Sequence, residues 1–364
     1  MGIWIVLAIG WIAGWILFRA VVVPEREEPY RGGEKVSVII PARNEAGNLP
    51  HLLGSLQNQT YPPDEIIVVD DFSDDGTYEV AVKYGVNVIR NDALPPGWTG
   101  KTWAVWNGYR QSTGNVIVFL DADIRLAPRA LESLLQARAE AGGVISVVPF
   151  HVTEKFYERL ALITNVLGVF AFTSPFELRS RQKGLYGSCI VTTRRDYEAI
   201  QGHDSIRAEL LDDLNLGAKF REAGIRVTNF LGSGLVSFRM YPNGIRSELE
   251  GFGKGAVLST AKLRPATTLL VAAWLLGLIG SESALFLWNT AWAYPLLIGY
   301  VLYAVQLYFL VRYVGKFGIG MPLLHVLSTL FFLVILIYSA YQVVFRGSVT
   351  WKGRDVQVGS RGDR

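Results

Sequence analysis

The chain has 364 residues, half of them hydrophobic, and carries 35 Lys and Arg against 32 Asp and Glu, a formal net charge of +3. So small a charge argues against a nucleic-acid partner. A single cysteine, Cys189, excludes a disulfide framework and argues against a cysteine-based metal centre. Mean hydropathy is positive, but the apolar excess gathers in the first 23 residues and after residue 264, while residues 34–264 have an ordinary globular composition.

Residues 3–23 are apolar except for Arg19. At about 1.5 Å per residue such a run spans a hydrocarbon core of about 30 Å. A secretory signal is the competing reading. The run is long for one, lacks a basic start and is not followed by a small-residue cleavage site. Residues 1–24 are therefore expected to form an uncleaved transmembrane anchor. Arg19, Arg26 and Arg31 on its downstream side place that side in the cytoplasm.

The middle of the chain alternates β-branched runs with helical patterns. Strands are expected at Val36–Ile40, Ile66–Val69, Val86–Ile89, Val116–Leu120 and Val144–Val148. Helices are expected at Asn48–Asn58, Thr77–Tyr84, Lys101–Gln111 and Arg129–Ala139. That alternation predicts an α/β fold with a mostly parallel sheet covered on both faces. Ligands of such sheets bind beyond the carboxyl ends of the strands. Three polar clusters fall there: Pro41-Ala42-Arg43-Asn44-Glu45, Asp70 to Thr77 with Asp71 and Asp74, and Asp121-Ala122-Asp123. Each alone reads better as a turn or helix cap; three at successive strand ends point to a site.

Further along, the apolar run Leu160–Phe172 is flanked by Lys155, Arg159 and Arg179, and reads either as a core helix or as an interfacial one. Ala208–Ala223 has a helical pattern containing Asp212 and Asp213. Thr267–Tyr313 is apolar except for Glu282 and Arg312, long enough for two helices turning near Ser281–Asn289, and Met321–Phe345 makes another. Residues 265–345 are thus expected to hold about three transmembrane helices, followed by a basic tail, 346–364. Four spans in all make a multi-pass protein with its middle domain in the cytoplasm. They also put Arg346, Lys352, Arg354, Arg361 and Arg364 on the far side, against the positive-inside rule. Either one C-terminal segment does not fully cross, or the rule fails here.

The clusters suit phosphate chemistry. Asp121 and Asp123 could reach one hard divalent cation, Mg²⁺ or Mn²⁺, which would neutralise a diphosphate leaving group. Lys101 follows the glycine-containing approach Pro95–Gly100 into a helix start, a place suited to phosphate; a solvated lysine is the alternative. Asp212 and Asp213 are adjacent, so each raises the other's pKa when buried, as a general base requires. The plainer alternative is a helix-surface pair to Arg207 or Lys219.

Together these segments resemble the family 2 inverting glycosyltransferases, whose nucleotide-sugar-binding fold is called GT-A. The resemblance covers about Val36 to Lys254 and rests on VSVIIPARNEAGNL, IIVVDDFSDDGT, GNVIVFLDADIRLAP and GHDSIRAELLDDLNLG, in that order. Asp212 stands where the family usually has glutamate. The resemblance implies that Pro41, Glu45 and Asp70 cradle the uridine of a UDP-sugar donor, with Asn44, Asp71, Asp74, Lys101 and Asp121 completing the donor site. It implies that Asp121 and Asp123 hold the metal and that Asp213 is the general base, with Asp212 beside it. LPPGWTGKTWA, Met240-Tyr241, EGFGKG and WKGR are similar to membrane-bound glycosyltransferases of carotenoid (diaponeurosporenoate-type) and hopanoid synthesis. That similarity implies a membrane lipid acceptor. The Q-x-x-R-W motif of processive polysaccharide synthases is missing, which counts against a long polymer; polyprenyl phosphate remains an alternative acceptor. A non-catalytic nucleotide-sugar scaffold is disfavoured because the expected carboxylates are present.

Overall fold

The structure is a computed structural model and describes residues 2–25, 30, 32–177, 184–209, 211–259, 263–342, 348–351 and 354–357. Arg26, Arg31, Arg179 and, in the tail, Arg346, Lys352, Arg361 and Arg364 lie outside the described residues. Two compact units are present: residues 20–150 with 178–238, and residues 1–19 with 151–177 and 239–364. Segments 151–177 and 239–264, which fall inside the expected 34–264 domain, thus group with the apolar helices.

The chain opens with α1 (Gly2–Leu17), then enters the sheet unit. Here β1 (Val36–Ala42), α2 (Leu49–Gln57), β2 (Glu65–Asp70), α3 (Thr77–Lys83), β3 (Asn87–Arg90), α4 (Gly100–Gln111), β4 (Val116–Leu120), β5 (Ile124–Leu126), α5 (Ala130–Ala141) and β6 (Val144–Val148) follow one another. The five main strands and four helices lie within two residues of their expected ends. The unit closes with β8 (Cys189–Thr193), α8 (Arg194–Ala199), a 3₁₀ turn at Gly202–Ile206, α9 (Asp212–Glu222), β9 (Val227–Leu231) and β10 (Val236–Phe238).

The seven-stranded sheet has the order β3-β2-β1-β4-β8-β6-β9. β1, β2, β3 and β4 run parallel, with Ala42 opposite Asp70 and Ile39 opposite Phe119. β8 runs antiparallel to both β4 and β6. β8 and β9 do not stand out in the sequence; each is five residues long and gains its place by pairing with strands distant in sequence. Ile39, Ile117, Phe119, Ile190, Tyr197, Leu216 and Phe220 meet in one buried core.

The N-terminal apolar run divides. α1 has 16 residues, so it rises only about 24 Å, and the expected span 3–23 is shortened. Beyond it Val23 N–H donates to Leu231 O at 3.0 Å and Leu231 N–H to Val21 O at 2.7 Å. The β-branched end of the run is used as sheet edge rather than as helix.

The helical unit contains α1, β7 (Phe150–Val152, from residue 151), α6 (Phe156–Arg159), α7 (Leu162–Thr173), α10 (Ile245–Ser259), α11 (Pro265–Glu282), α12 (Ala293–Val314), β11 (Gly315–Lys316), α13 (His325–Tyr341) and a hairpin of β12 (Ser348–Trp351) and β13 (Arg354–Gln357). α1 packs against α11 and α12. A Cβ on Gly10 would lie 2.5 Å from Tyr303 Oη and 2.6 Å from Ala273 O, so glycine lets the helices touch. Trp11 Nε1 donates to Leu302 O at 3.0 Å, and Trp274 Nε1 to Gln306 Oε1 at 2.8 Å. Residues 265–285 and 293–314 are long and apolar enough to cross a membrane. α1 and α13 are shorter, so the four full spans expected are not all present among the described residues. α7 buries Leu162, Ile163, Val166, Val169 and Phe170, and packs on α11, α12 and α13 as a core helix does.

Candidate active site

Parallel strands β1, β2 and β4 are neighbours, so their carboxyl ends share one edge. The turn after β1 and the turn after β2 are sewn together there. Asn44 adopts φ +54° and Phe72 φ +57°, left-handed conformations that bend both turns back. Asp74 N–H donates to Asn44 Oδ1 at 2.8 Å, Asn44 N–H to Ser73 Oγ at 3.0 Å, and Glu45 N–H to Thr77 Oγ1 at 2.8 Å. Asn48 Nδ2 donates to Glu45 Oε2 at 2.8 Å. Asp70 is fully buried; its Oδ1 accepts Ser73 N–H at 3.1 Å and its Oδ2 lies 3.6 Å from Arg90 Nε. Asp71 Oδ1 accepts from Asn91 Nδ2 at 3.3 Å. This edge forms a fixed polar nest rather than a loose loop.

A cleft opens beside it, lined by Pro41, Lys101, Asp121, Gly187, His203, Asp212 and Asp213 over a floor that includes Phe119 and Ile190. Of the residues expected at the site, Pro41, Lys101, Asp121, Asp212 and Asp213 come together in this cleft. Asn44, Glu45, Asp70, Asp71, Asp74 and Asp123 do not line it.

Lys101 is not a solvated lysine. Its Nζ lies 3.0 Å from Asp121 Oδ1 and 3.8 Å from Asp212 Oδ2. Burial alone would lower its pKa, but Asp121, Asp212 and Asp213 raise it well above the usual lysine range. The start of α4 is fixed by Thr99, which accepts from Thr102 N–H, and by Thr99 N–H, which donates to Arg207 O at 2.9 Å.

Asp212 and Asp213 lie at the first positions of α9, not within a helix begun at Ala208 as expected. Aspartate favours a helix's first turn, where free N–H groups and the macrodipole meet it. Arg207 instead pairs with Asp204 and Lys219 with Glu222, so the expected surface pairs of Asp212 are not formed. Asp213 Oδ2 accepts Gly187 N–H at 3.0 Å and Oδ1 accepts Leu214 N–H at 2.9 Å. Burial first, then Asp212, pushes its pKa up to about 6, against the opposing pull of Lys101 and the two N–H groups.

Sequence reasoning missed Gly187 and His203 as site residues. A Cβ on Gly187 would lie 3.0 Å from Asp213 Oδ2, so glycine lets the backbone reach the carboxylate. His203 Nδ1 bonds Tyr197 Oη at 2.7 Å, and burial lowers the imidazole's pKa to about 4, keeping it neutral. Only the pair Gly202-His203 at its 3₁₀ turn offered a signal.

Asp121 and Asp123 flank a tight turn closed by Ile124 N–H to Asp121 O at 3.2 Å. Among the described residues no group of three or more His, Cys, Asp or Glu side chains is arranged to hold a metal ion. Two hard carboxylates without a third ligand fit a Mg²⁺-like cation that keeps waters and shares its shell with a diphosphate. They do not fit a caged resident ion. The Arg239–Tyr241 and Glu250–Gly255 segments lie in the other unit. There Arg239 pairs with Glu154 at 2.7 Å and Glu158 at 2.8 Å, and Tyr241 meets Phe252 ring to ring.

Residues 37–200 match the sequence model of Glycosyl transferase family 2. A 4,4'-diaponeurosporenoate glycosyltransferase from Staphylococcus haemolyticus is 33% identical over 336 residues, 89% of each chain. The chain belongs to glycosyltransferase family 2. The namesake protein of Staphylococcus aureus is also 33% identical, over 89% of this chain and 88% of its own. The mannosyltransferase PcManGT from Pyrobaculum calidifontis, solved with GDP-Man and Mn²⁺, superposes with a TM-score of 0.56 at 20% identity, covering 95% of this chain and 99% of its own. That likeness bears on the fold, and it is the GT-A fold of this family 2 glycosyltransferase.

Proposed function

We propose that this family 2 glycosyltransferase moves one sugar from a UDP-sugar to a lipid of the membrane in which its apolar helices sit, with its site facing the cytoplasm. The observation that carries the reading is Asp213: a carboxylate raised to about 6, held by two N–H groups and set beside Lys101 and Asp121. Pro41, Glu45 and Asp70 would cradle the uridine, with Asn44, Asp71 and Asp74 fixing the turns around it. Lys101 would meet the diphosphate by exchanging Asp121 for phosphate oxygen. Asp121 and Asp123 would hold a divalent cation, which when bound offsets the charge of the departing diphosphate.

Asp213 would take the proton from an acceptor hydroxyl as that oxygen bonds to the anomeric carbon from the face opposite the diphosphate. The carbon–oxygen bond to the diphosphate breaks with its electron pair leaving on the nucleotide, and the configuration inverts. An acceptor carboxylate, as in the substrate that names the staphylococcal relatives, arrives without that proton. For such an acceptor Asp213 would orient rather than deprotonate.

The test is a titration of the whole protein with UDP, GDP and other nucleotides, with and without Mn²⁺, followed by turnover of UDP-sugars with membrane lipid extracts. Selective, metal-strengthened UDP binding and a glycosylated lipid product support the reading. GDP selectivity would overturn the donor assignment. A product on polyprenyl phosphate or a polymer would overturn the acceptor assignment.

A further inference from the structure

We propose that the last apolar segment does not cross the membrane but re-enters it: the stretch after α12 climbs back along that helix and α13 returns to the side it left. This goes beyond the proposed reaction and rests on reading α11 and α12 as spans.

The levels within the helical unit can be read from contacts. Gly10 of α1 lies against Gly277, and Gly14 against Trp274 and Gln306. Phe18, just past the end of α1, meets Phe309 and Tyr313. So α1 ends, α11 begins and α12 ends at one level, the near side. Glu282, at the end of α11, marks the far side.

If residues 315–324 were an aqueous loop, α13 would start at the near side. It does not. Gly315 and Lys316 pair with His151 and Val152, after which the chain runs antiparallel to α12. Tyr308 Oη donates to Ile319 O, and eight residues earlier on α12 Tyr300 Oη donates to Leu323 O at 2.6 Å. The eight α12 residues between the two tyrosines rise about 12 Å, and residues 319–324 follow that face in hydrogen-bonded turns. At the top His325 stacks on Tyr300 at 4.2 Å, and its Nδ1 lies 2.7 Å from Glu282 Oε1, which also accepts from Thr329 Oγ1 at 2.7 Å. α13 therefore begins near the far end of α11.

It then comes back. Phe331 and Ile335 pack on Ala161, Leu249 and Phe252. Ser339 Oγ donates to Gly253 O at 2.5 Å, and β12 lies against α10. α10 itself precedes the start of α11, and Glu177 Oε1 accepts from Arg264 N–H and Thr267 Oγ1 there.

Physical chemistry permits this limb. Non-helical backbone is costly at membrane depth unless its polar groups are met inside the protein. Here the tyrosine hydroxyls cap two carbonyls, and Leu324 N–H bonds Gly320 O at 3.0 Å. Ile319 is 84% exposed and Leu323 and Leu324 are also exposed, a surface suited to lipid and not to water. With α13 returning instead of crossing, β12 and β13 with Arg354 lie on the near side, where the positive-inside rule would keep a basic tail.

The experiment is thiol labelling of the full chain in sealed vesicles of both orientations, with a membrane-impermeant maleimide. Cys189 is buried, so the unsubstituted protein is the blank. Arg246→Cys reports the near side, Asn289→Cys the far side and Ser360→Cys the tail. Ile319→Cys reports the climbing segment. The expected result is Ser360→Cys labelled only from the side that labels Arg246→Cys, with Ile319→Cys blind to the impermeant reagent from both sides and open to a lipid-soluble one. Labelling of Ser360→Cys from the Asn289 side, or of Ile319→Cys by the impermeant reagent, overturns re-entry. Arg246→Cys and Asn289→Cys labelled from one side would show that the α11–α12 hairpin does not cross, and would overturn the membrane reading with it. Activity is not read, so the failure of either idea stays separate from that of the proposed reaction.

Discussion

Charged groups are grouped in both regions of this glycosyltransferase, but on opposite terms. In the sheet unit, three carboxylates, Asp121, Asp212 and Asp213, share one cation, Lys101. In the helical unit Glu282 is met by His325 and Thr329, and Arg239 by Glu154 and Glu158. In the second, Arg239 is held between two carboxylates and Glu282 has two hydrogen-bond partners, so each acid is met within its own unit, as polar groups among apolar helices tend to be. The first leaves negative charge in excess, held by a rigid strand end and a helix start. Carboxylates held beside an open cleft are suited to a ligand that brings its own cation; acids enclosed with their own hydrogen-bond partners are suited to architecture.

The comparison breaks most sharply at Asp213. Asp213→Asn should lower turnover of a hydroxyl acceptor roughly 10²–10⁴-fold while nucleotide binding, read by titration, stays near normal. Near-normal turnover would remove Asp213 as base, or identify a carboxylate acceptor. The same variant should raise the melting temperature at neutral pH. The folded pKa, about 6, lies above the unfolded value of about 3.9. The carboxyl therefore contributes stability below about pH 4 that is lost as the pH rises through about 6. Asparagine removes that loss. For the unsubstituted enzyme with a hydroxyl acceptor, turnover should fall as the pH drops below about 6, because the base becomes protonated.

Lys101→Met sharpens the same contrast. It should weaken UDP binding on the order of ten- to a hundredfold, the value of one charge-assisted hydrogen bond, and increase the gain from added Mn²⁺. An unchanged Kd would mean that Lys101 serves only to neutralise Asp121. Gly187→Ala pushes a methyl group against Asp213, and overpacking of about 1–3 kcal/mol should appear as a loss in kcat of about tenfold with the donor's KM nearly constant. A change in KM alone would show that the strain is relieved away from Asp213. The smallest effect on the site should come from the cluster around Glu282. His325→Phe should cost about 1–3 kcal/mol of stability, seen as a lower melting temperature in detergent, and leave nucleotide binding as it was. A weakened nucleotide titration would contradict an architectural role for His325.

Much of the sheet and of its polar edge was legible in the chain. Strands β1, β2 and β4 are β-branched runs with punctuated ends, so the places of Pro41, Asp70 and Asp121 follow from local pattern. β8 was not legible, because Cys189–Thr193 is a strand by virtue of lying between β4 and β6. Nor was the tight turn, closed by Ile124 N–H to Asp121 O, that sets Asp121 and Asp123 relative to each other.

What the sequence determined by itself is what short-range physics encodes. It gave the strand–helix alternation, the apolar helices, the acidic strand ends and the excess of carboxylates over cations near them. What only the tertiary structure decided involves groups far apart in the chain. Gly187 comes to Asp213, Lys101 to Asp121 and Asp212, and His325 to Glu282. In each case a backbone approach or an ion pair needs two segments to share one place, and no window of sequence contains both. The path of residues 315–324 is of the same kind. Hydropathy registers how apolar a segment is, whereas its direction is set by the tyrosines of the helix beside it.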